Sequence, residues 1–255
     1  MDVDKLYESL AEIPVAELSG WQDAFMKFYR AWFYEDRWKS YFEGLVTTIE
    51  VTVIALAIGV VLGLLVAMIR TAHDQQRPER RNFILGVLNF IARIYVTVIR
   101  GTPMLVQLMI MGFVIFANSR EFTMIGALSL GINSGAYVAE IIRCGLMSLD
   151  VGQTEAGRSL GLGYIDTMRF IVIPQAFKAI LPALGNEFIV LLKDTSLISA
   201  ISGKEILYFA KAISSRTYEY MFPLYITALM YLIMVMIFSA LQSKLERRLR
   251  QSDRR

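Results

Sequence analysis

EAGRSLGLGYIDTMRFIVIP, residues 155–174, interrupts a chain that is otherwise oily. It carries Glu155, Asp166, Arg158 and Arg169, with glycines at 157, 161 and 163, and it stops at Pro174. Strongly apolar runs flank it, 123–146 before and 177–198 after. Two nucleotide-binding patterns can be set aside. GQTEAGRS (152–159) has the glycine spacing of a phosphate-binding loop, but Arg158 stands where lysine is needed and no strand pattern precedes it. GLGYID (161–166) starts like a dinucleotide fingerprint and lacks the third glycine. What remains reads as two short helices. Asp150 and Gln153 are placed to cap the first and Gly161 to end it, while a second runs from about Tyr164 to Ile173, before Pro174 opens the next element. Helices this short are not stable alone in water. The segment therefore predicts a docking elbow, in which the small residues Ala156, Gly157 and Gly161 admit a close partner; an ordinary structured loop is the plain alternative.

Working outward, the rest of the chain says at which surface the elbow lies. Of its 255 residues 55% are hydrophobic, and mean hydropathy is +0.48, as in integral membrane proteins. GLVTTIEVTVIALAIGVVLGLLVAMI (44–69) is long enough to cross about 30 Å of hydrocarbon. Its Ala55, Gly59, Gly63 and Ala67 form a small-residue stripe that lets another helix pack closely. Residues 83–118 are too long for one span and too short for two. Arg93 and Arg100 would each cost roughly 2.5–3.5 kcal/mol at the bilayer centre, so 83–99 is expected to lie along the inner face, and Pro103 to open a second span, MLVQLMIMGFVIFA (104–117). Residues 123–146, 177–198 and 222–243 complete five spans, the last two joined by a polar loop, SGKEILYFAKAISSRTYEYM (202–221). The expected fold class is all-α integral membrane, with five transmembrane helices and a cytoplasmic elbow.

Five spans put the termini on opposite sides. With the N-terminus outside, the inner segments 70–82, 143–178 and the tail from Lys244 hold four, four and six Lys/Arg, against one and three in the outer loops. That obeys the positive-inside rule. The expected division is 1–43 as an extracytoplasmic or interfacial segment, 44–246 as the membrane domain with its elbow at 150–174, and 247–255 as a basic cytoplasmic tail. Within 1–43, Trp21, Trp32 and Trp38 sit among charges, which suits a membrane–water interface or a small packed subdomain. No cleavable signal peptide is visible there, because residues 1–40 lack an unbroken apolar stretch.

Intramembrane acids point to a pathway. In span four, Glu187 and Asp194 are seven residues apart, nearly two helical turns, and so share one face. An unpaired acid in lipid costs about 2.5–3.5 kcal/mol or more, so that face lines the bundle interior or a wet cavity. Glu140 in span three has Arg143 three residues on. A structural role for all three acids, satisfied by Arg143, Lys193 or helix ends, is the alternative. His73 and Cys144 are the one histidine and the one cysteine, which leaves nothing for a disulfide, a cysteine metal cluster or an intramembrane catalytic set. No metal, cofactor or nucleic-acid partner is expected.

The elbow residues decide between these classes. Glu155-Ala156-Gly157, then Gly161, then Ile171-Val172-Ile173-Pro174 resembles the cytoplasmic motif of permease subunits of binding-protein-dependent ABC importers: Glu-Ala-Ala, three residues, Gly, nine residues, Ile, any residue, Leu-Pro. Gly157 and Ile173 depart from it. YVTVIRGTPMLVQL (95–108), SGAYVAEIIRCGL (134–146) and LPALGNEFIVLLKDTSLIS (181–199) resemble the polar amino acid branch, of histidine, glutamine or arginine type. The resemblance covers roughly residues 40–245. It implies a plasma-membrane permease that is not itself an enzyme and that carries polar amino acids. It implies ABC ATPase subunits docked on Glu155, Ala156, Gly157 and Gly161. It further implies a second permease, as a copy or a sister chain, and an extracytoplasmic substrate-binding protein. By the same resemblance, Glu187, Asp194, Asn186 and Glu140 contribute to substrate binding, with two acids on one face suiting a cationic amino acid. A secondary transporter or channel would share the spans and the acids but has no need of an ATPase docking elbow.

Overall fold

The computed structural model describes residues 3–76 and 82–252, and every regular element among them is helical. Arg77, Arg80 and Arg81, part of the charge count above, lie outside the described residues. The chain opens with α1 (Val3–Ala11) and α2 (Gly20–Trp32), then the long α3 (Arg37–Asp74). α4 (Phe83–Gly101) and α5 (Met104–Ile110) follow, and then α6 (Phe122–Met147). The elbow helices are α7 (Val151–Ser159) and α8 (Tyr164–Thr167), and the chain ends with α9 (Ile173–Asp194), α10 (Ile206–Thr217) and α11 (Met221–Ser252). Five stretches are long and apolar enough to cross a membrane: Tyr34–Asp74, Phe83–Gly101, Phe122–Met147, Tyr164–Ile201 and Met221–Leu249.

The core of the bundle is the pairing of α3 with α6. Ala55, Gly59, Gly63 and Ala67 are all buried, and a Cβ on Gly63 would stand 2.6 Å from Val138 Cγ1. The stripe thus serves backbone-close packing inside the chain. Tyr41, Leu192, Ile206 and Met230 make a second cluster that ties α3, α9, α10 and α11 together.

The second crossing differs from the sequence expectation. Residues 83–99 do not form a separate surface helix, and 104–117 is not a complete span. α4 starts beside His73, at the end of the bundle that carries the elbow, and rises along α3 and α6. Thr102 turns extended (φ −120°, ψ 147°), as the residue before a proline must, and Pro103 opens α5. α5 and the π-helical turn Met111–Ile115 make only twelve residues, about 18 Å of rise. Together α4, α5 and this turn make one interrupted crossing. Its break sits beside Asn133, near the middle of α6. Gln107 repairs it: its Nε2 donates to the freed carbonyls of Ile99 (2.7 Å) and Thr102 (3.2 Å), and its Oε1 accepts from Asn133 Nδ2 at 2.9 Å. A broken helix at membrane depth survives only when its backbone groups are satisfied in this way. The count of five therefore stands, with the second member reassigned.

Two further expectations change. The loop at 202–221 contains α10, whose Ile206, Ala210 and Ile213 are buried. The elbow's second helix does not stop at Pro174. α8 passes through a π-helical turn, Met168–Val172, straight into α9. Within the expected segment 1–43, α1 and α2 pack together: Tyr7 stacks on Tyr29 with centroids 4.1 Å apart, and Phe28 meets Phe222 at the start of α11, edge to face, 5.9 Å away.

Candidate functional site

α4, α6 and α9 border an open cavity of about 410 Å3, lined on α9 by Ala179, Ala183 and Glu187 and on α6 by Tyr137, Glu140 and Cys144. The four-residue spacing of 179, 183 and 187 puts those side chains in one row. The helices converge because Gly145 carries no side chain: a Cβ there would stand 2.3 Å from Ile180 Cγ1.

Glu187 is 8% exposed and accepts a hydrogen bond from Ser134 Oγ at 2.7 Å. Glu140 is engaged by two arginines, Arg70 from α3 and Arg143, whose Nη2 is 3.3 Å away. Arg100 lines the same cavity from the end of α4, its guanidinium 5.3 Å above the centroid of the Tyr137 ring. A smaller polar cavity of about 290 Å3 shares Arg100 and Glu140 and reaches Arg70 and Arg93.

Of the four residues expected at a substrate site, Glu187 and Glu140 come together here. Asn186 is exposed and lies about 100° round the helix from Glu187. Asp194 is half-buried at the last position of α9, two turns beyond Glu187, outside the cavity lining. Ser134, Tyr137 and Arg100 were not among the expected site residues. Arg100 was legible only as an obstacle to a span, and its charge was the signal. Among the described residues no group of three or more His, Cys, Asp or Glu comes together to hold a metal.

In the elbow, Asp150 caps α7 by accepting from the Gly152 N–H at 2.8 Å, while Gln153 turns away to accept from Gln175 at 3.1 Å. Gly161 has φ +84° and ends the helix; the N–H of Leu162 donates to the Gly157 carbonyl and that of Gly161 to the Arg158 carbonyl, the paired bonds of a left-handed helix stop. Gly157 is buried within the elbow itself: an added Cβ would meet Ile171 Cδ1 at 2.8 Å and Thr167 Cγ2 at 2.9 Å. Its small size serves α7 against the start of the next helix. Glu155 and Ala156 are exposed, and the large apolar side chains of Leu160 (81%) and Ile165 (75%) stand out at the tip.

Glu205, in the connection after Ile201, is a further buried acid, outside the expected site residues. It is fully buried, caps α10 by accepting from the N–H groups of Leu207 and Tyr208 (2.7 Å each), and accepts from Tyr231 Oη at 2.7 Å. Burial pushes its carboxyl from the ordinary 4.5 up to about 7, against the opposing pull of those donors and Lys211. Below the ordinary value both folded and unfolded chains hold the proton. As pH rises from about 4.5 to about 7 the unfolded chain releases it first, so stability falls across that window and levels off above it. In detergent, the melting temperature is expected to drop between pH 5 and pH 8, and Glu205→Gln, which keeps an acceptor, flattens that slope. An unchanged slope in the variant would remove Glu205 as its cause.

A sequence profile described as "Binding-protein-dependent transport system inner membrane component" matches residues 59–251. The chain belongs to this family. This permease is 36% identical over 216 residues to the arginine transport system permease protein ArtQ of Bacillus subtilis, covering 83% of this chain and 93% of that one. It is 34% identical over 215 residues to the glutamine transport system permease protein GlnP of Escherichia coli, covering 82% and 92%. Among solved structures, an amino acid ABC transporter crystallised with histidines is 42% identical with a TM-score of 0.73, over 82% of this permease and 94% of that chain. An inward-facing methionine ABC transporter, 17% identical with a TM-score of 0.70, shares the fold. The relatives are named as transport permeases, and the permease is a membrane transport component rather than an enzyme.

Proposed function

We propose that this permease forms half of the pathway of an ATP-driven importer for a polar amino acid, and that Glu187 receives the substrate's positive charge. The observation that carries this is a buried carboxyl at the wall of an open cavity between α6 and α9, bonded among the described residues only to a neutral serine hydroxyl. Glu140, with two arginines on it, is the counterion of its own neighbourhood. Asp194 provides a second acidic station further along α9, and Asn186 faces the surface where a second permease packs. Import draws on a substrate-binding protein outside and on separate ATPase subunits inside, docked on the elbow through Glu155, Ala156 and the exposed Leu160 and Ile165. Gly157 and Gly161 act indirectly by fixing the elbow's shape. The names of the relatives support an amino acid, and Glu187, with no base paired to it among the described residues, favours a cationic one. The N-terminus lies outside and the C-terminus in the cytoplasm.

Reconstitution in liposomes with the ATPase and the binding protein tests this directly. ATP-dependent accumulation of arginine above that of a neutral or acidic amino acid is the expected result. Accumulation by the permease alone, without ATP, would assign it to secondary transport or a channel. Sidedness is checked in a Cys144→Ser background: an impermeant thiol reagent labels Arg158→Cys only from the cytoplasmic side and Lys211→Cys only from outside. The reverse pattern would overturn the assigned orientation.

A further inference from the structure

Arg100 stands in a membrane crossing without an acid. Among the described residues no carboxylate lies within ion-pair distance of it. Glu140, which lines both cavities with it, is taken by Arg70 and Arg143. Its one described contact is the face of Tyr137, which orients the guanidinium and leaves its N–H edge free, since cation–π stacking uses the plane and not the donors. Arg100 is also the residue that both cavities share besides Glu140, and it lines the same chamber as Glu187. Arg100 is exposed at the open cavity, where its N–H groups can take an oxyanion, and its planar fork fits a carboxylate through two parallel bonds.

We propose that Arg100 is the carboxylate-binding residue of the transport site, so that a zwitterion lies across the cavity with its carboxylate on Arg100 and its cationic end toward Glu187. This rests on the amino-acid reading above and adds to it which group holds the other end of the substrate. It also explains why the arginine follows directly before the break at Gly101–Pro103: there the helix ends and the side chain reaches the cavity without an intervening turn. The other source of an oxyanion at such a depth is a lipid phosphate.

The test is equilibrium binding to the full chain in nanodiscs, with radiolabelled arginine, glutamine and agmatine, the last being arginine without its carboxylate. Wild type is expected to bind an amino acid more tightly than agmatine. Arg100→Gln is expected to weaken the amino acid about 10- to 100-fold, as loss of a charge-assisted pair does, and to leave agmatine within about twofold. Arg100→Lys, which keeps the charge and loses the fork, is expected to fall between them; it also serves if the glutamine variant does not fold. Equal losses for amino acid and agmatine, or none for either, overturn the assignment. So does an Arg100→Gln effect that vanishes when anionic lipids are replaced by neutral ones, which would make a lipid phosphate the partner. Failure of the wild type to bind either amino acid overturns the amino-acid reading itself, and this inference with it.

Discussion

Glu187→Gln is expected to lower ATP-driven uptake of a cationic amino acid, at concentrations well below saturation, by about 10- to 150-fold, the equivalent of about 1.5–3 kcal/mol for a hydrogen bond to a charged group. The substitution is nearly isosteric and keeps an acceptor for Ser134 Oγ, so the neighbouring packing of α6 on α9 is retained. The loss is therefore charge alone. Asp194→Asn is expected to have the smaller effect, because Asp194 stands outside the cavity lining. Uptake is measured at several concentrations with assembly checked by gel filtration. Wild-type uptake by Glu187→Gln at low substrate would make the acid structural and move the site elsewhere.

The second large effect belongs to the elbow. Gly157→Leu puts a branched side chain where even a Cβ lies 2.8 Å from Ile171 and 2.9 Å from Thr167, so α7 must lift away from the start of the next helix. Overpacking of this kind costs about 1–3 kcal/mol, and here it displaces the surface proposed to meet the ATPase. Uptake is expected to fall at least about tenfold while membrane insertion persists. Leu160→Asp reaches the same end by another route. Leu160 is 81% exposed and touches little of its own chain, so the permease stays folded while ATPase co-purification drops. Both variants retaining full ATPase association and uptake would take the docking role away from this segment.

The architecture was largely legible because its signals are local. An apolar run of bilayer length, a stripe of small residues at 55, 59, 63 and 67, and a helix stop at Gly161 each announce themselves within a few residues. The second crossing is not legible in the same way, because from sequence alone Arg93 and Arg100 read as facing lipid. Arg93 reaches Asp74, 3.8 Å away, and Arg100 reaches a cavity, relationships that exist only once α3 and α6 are in place. Glu187 could be picked out as an intramembrane acid. Its partner Ser134, fifty-three positions earlier, could not. Glu205 is legible as a helix start, an acid followed by Ile206, Ala210 and Ile213 at helical spacing, although the charges around it, Lys204, Lys211 and Arg216, give the stretch the look of a loop.

The interruption between Gly101 and Met104 has a mechanical consequence. A continuous helix is a stiff rod, held along its length by its ladder of bonds, and rotation applied at one end arrives at the other. At residue 102 that ladder is replaced by an amide side chain, Gln107, whose bonds are to two carbonyls, the Thr102 hydroxyl and Asn133. Torque applied to α4 at the elbow end dissipates at this joint, whereas α3, one helix from Arg37 to Asp74 beside it, passes its own on. The far half of the second crossing can then hold its station against α6 while the near half turns, and the chamber wall that contains Arg100 moves with the near half.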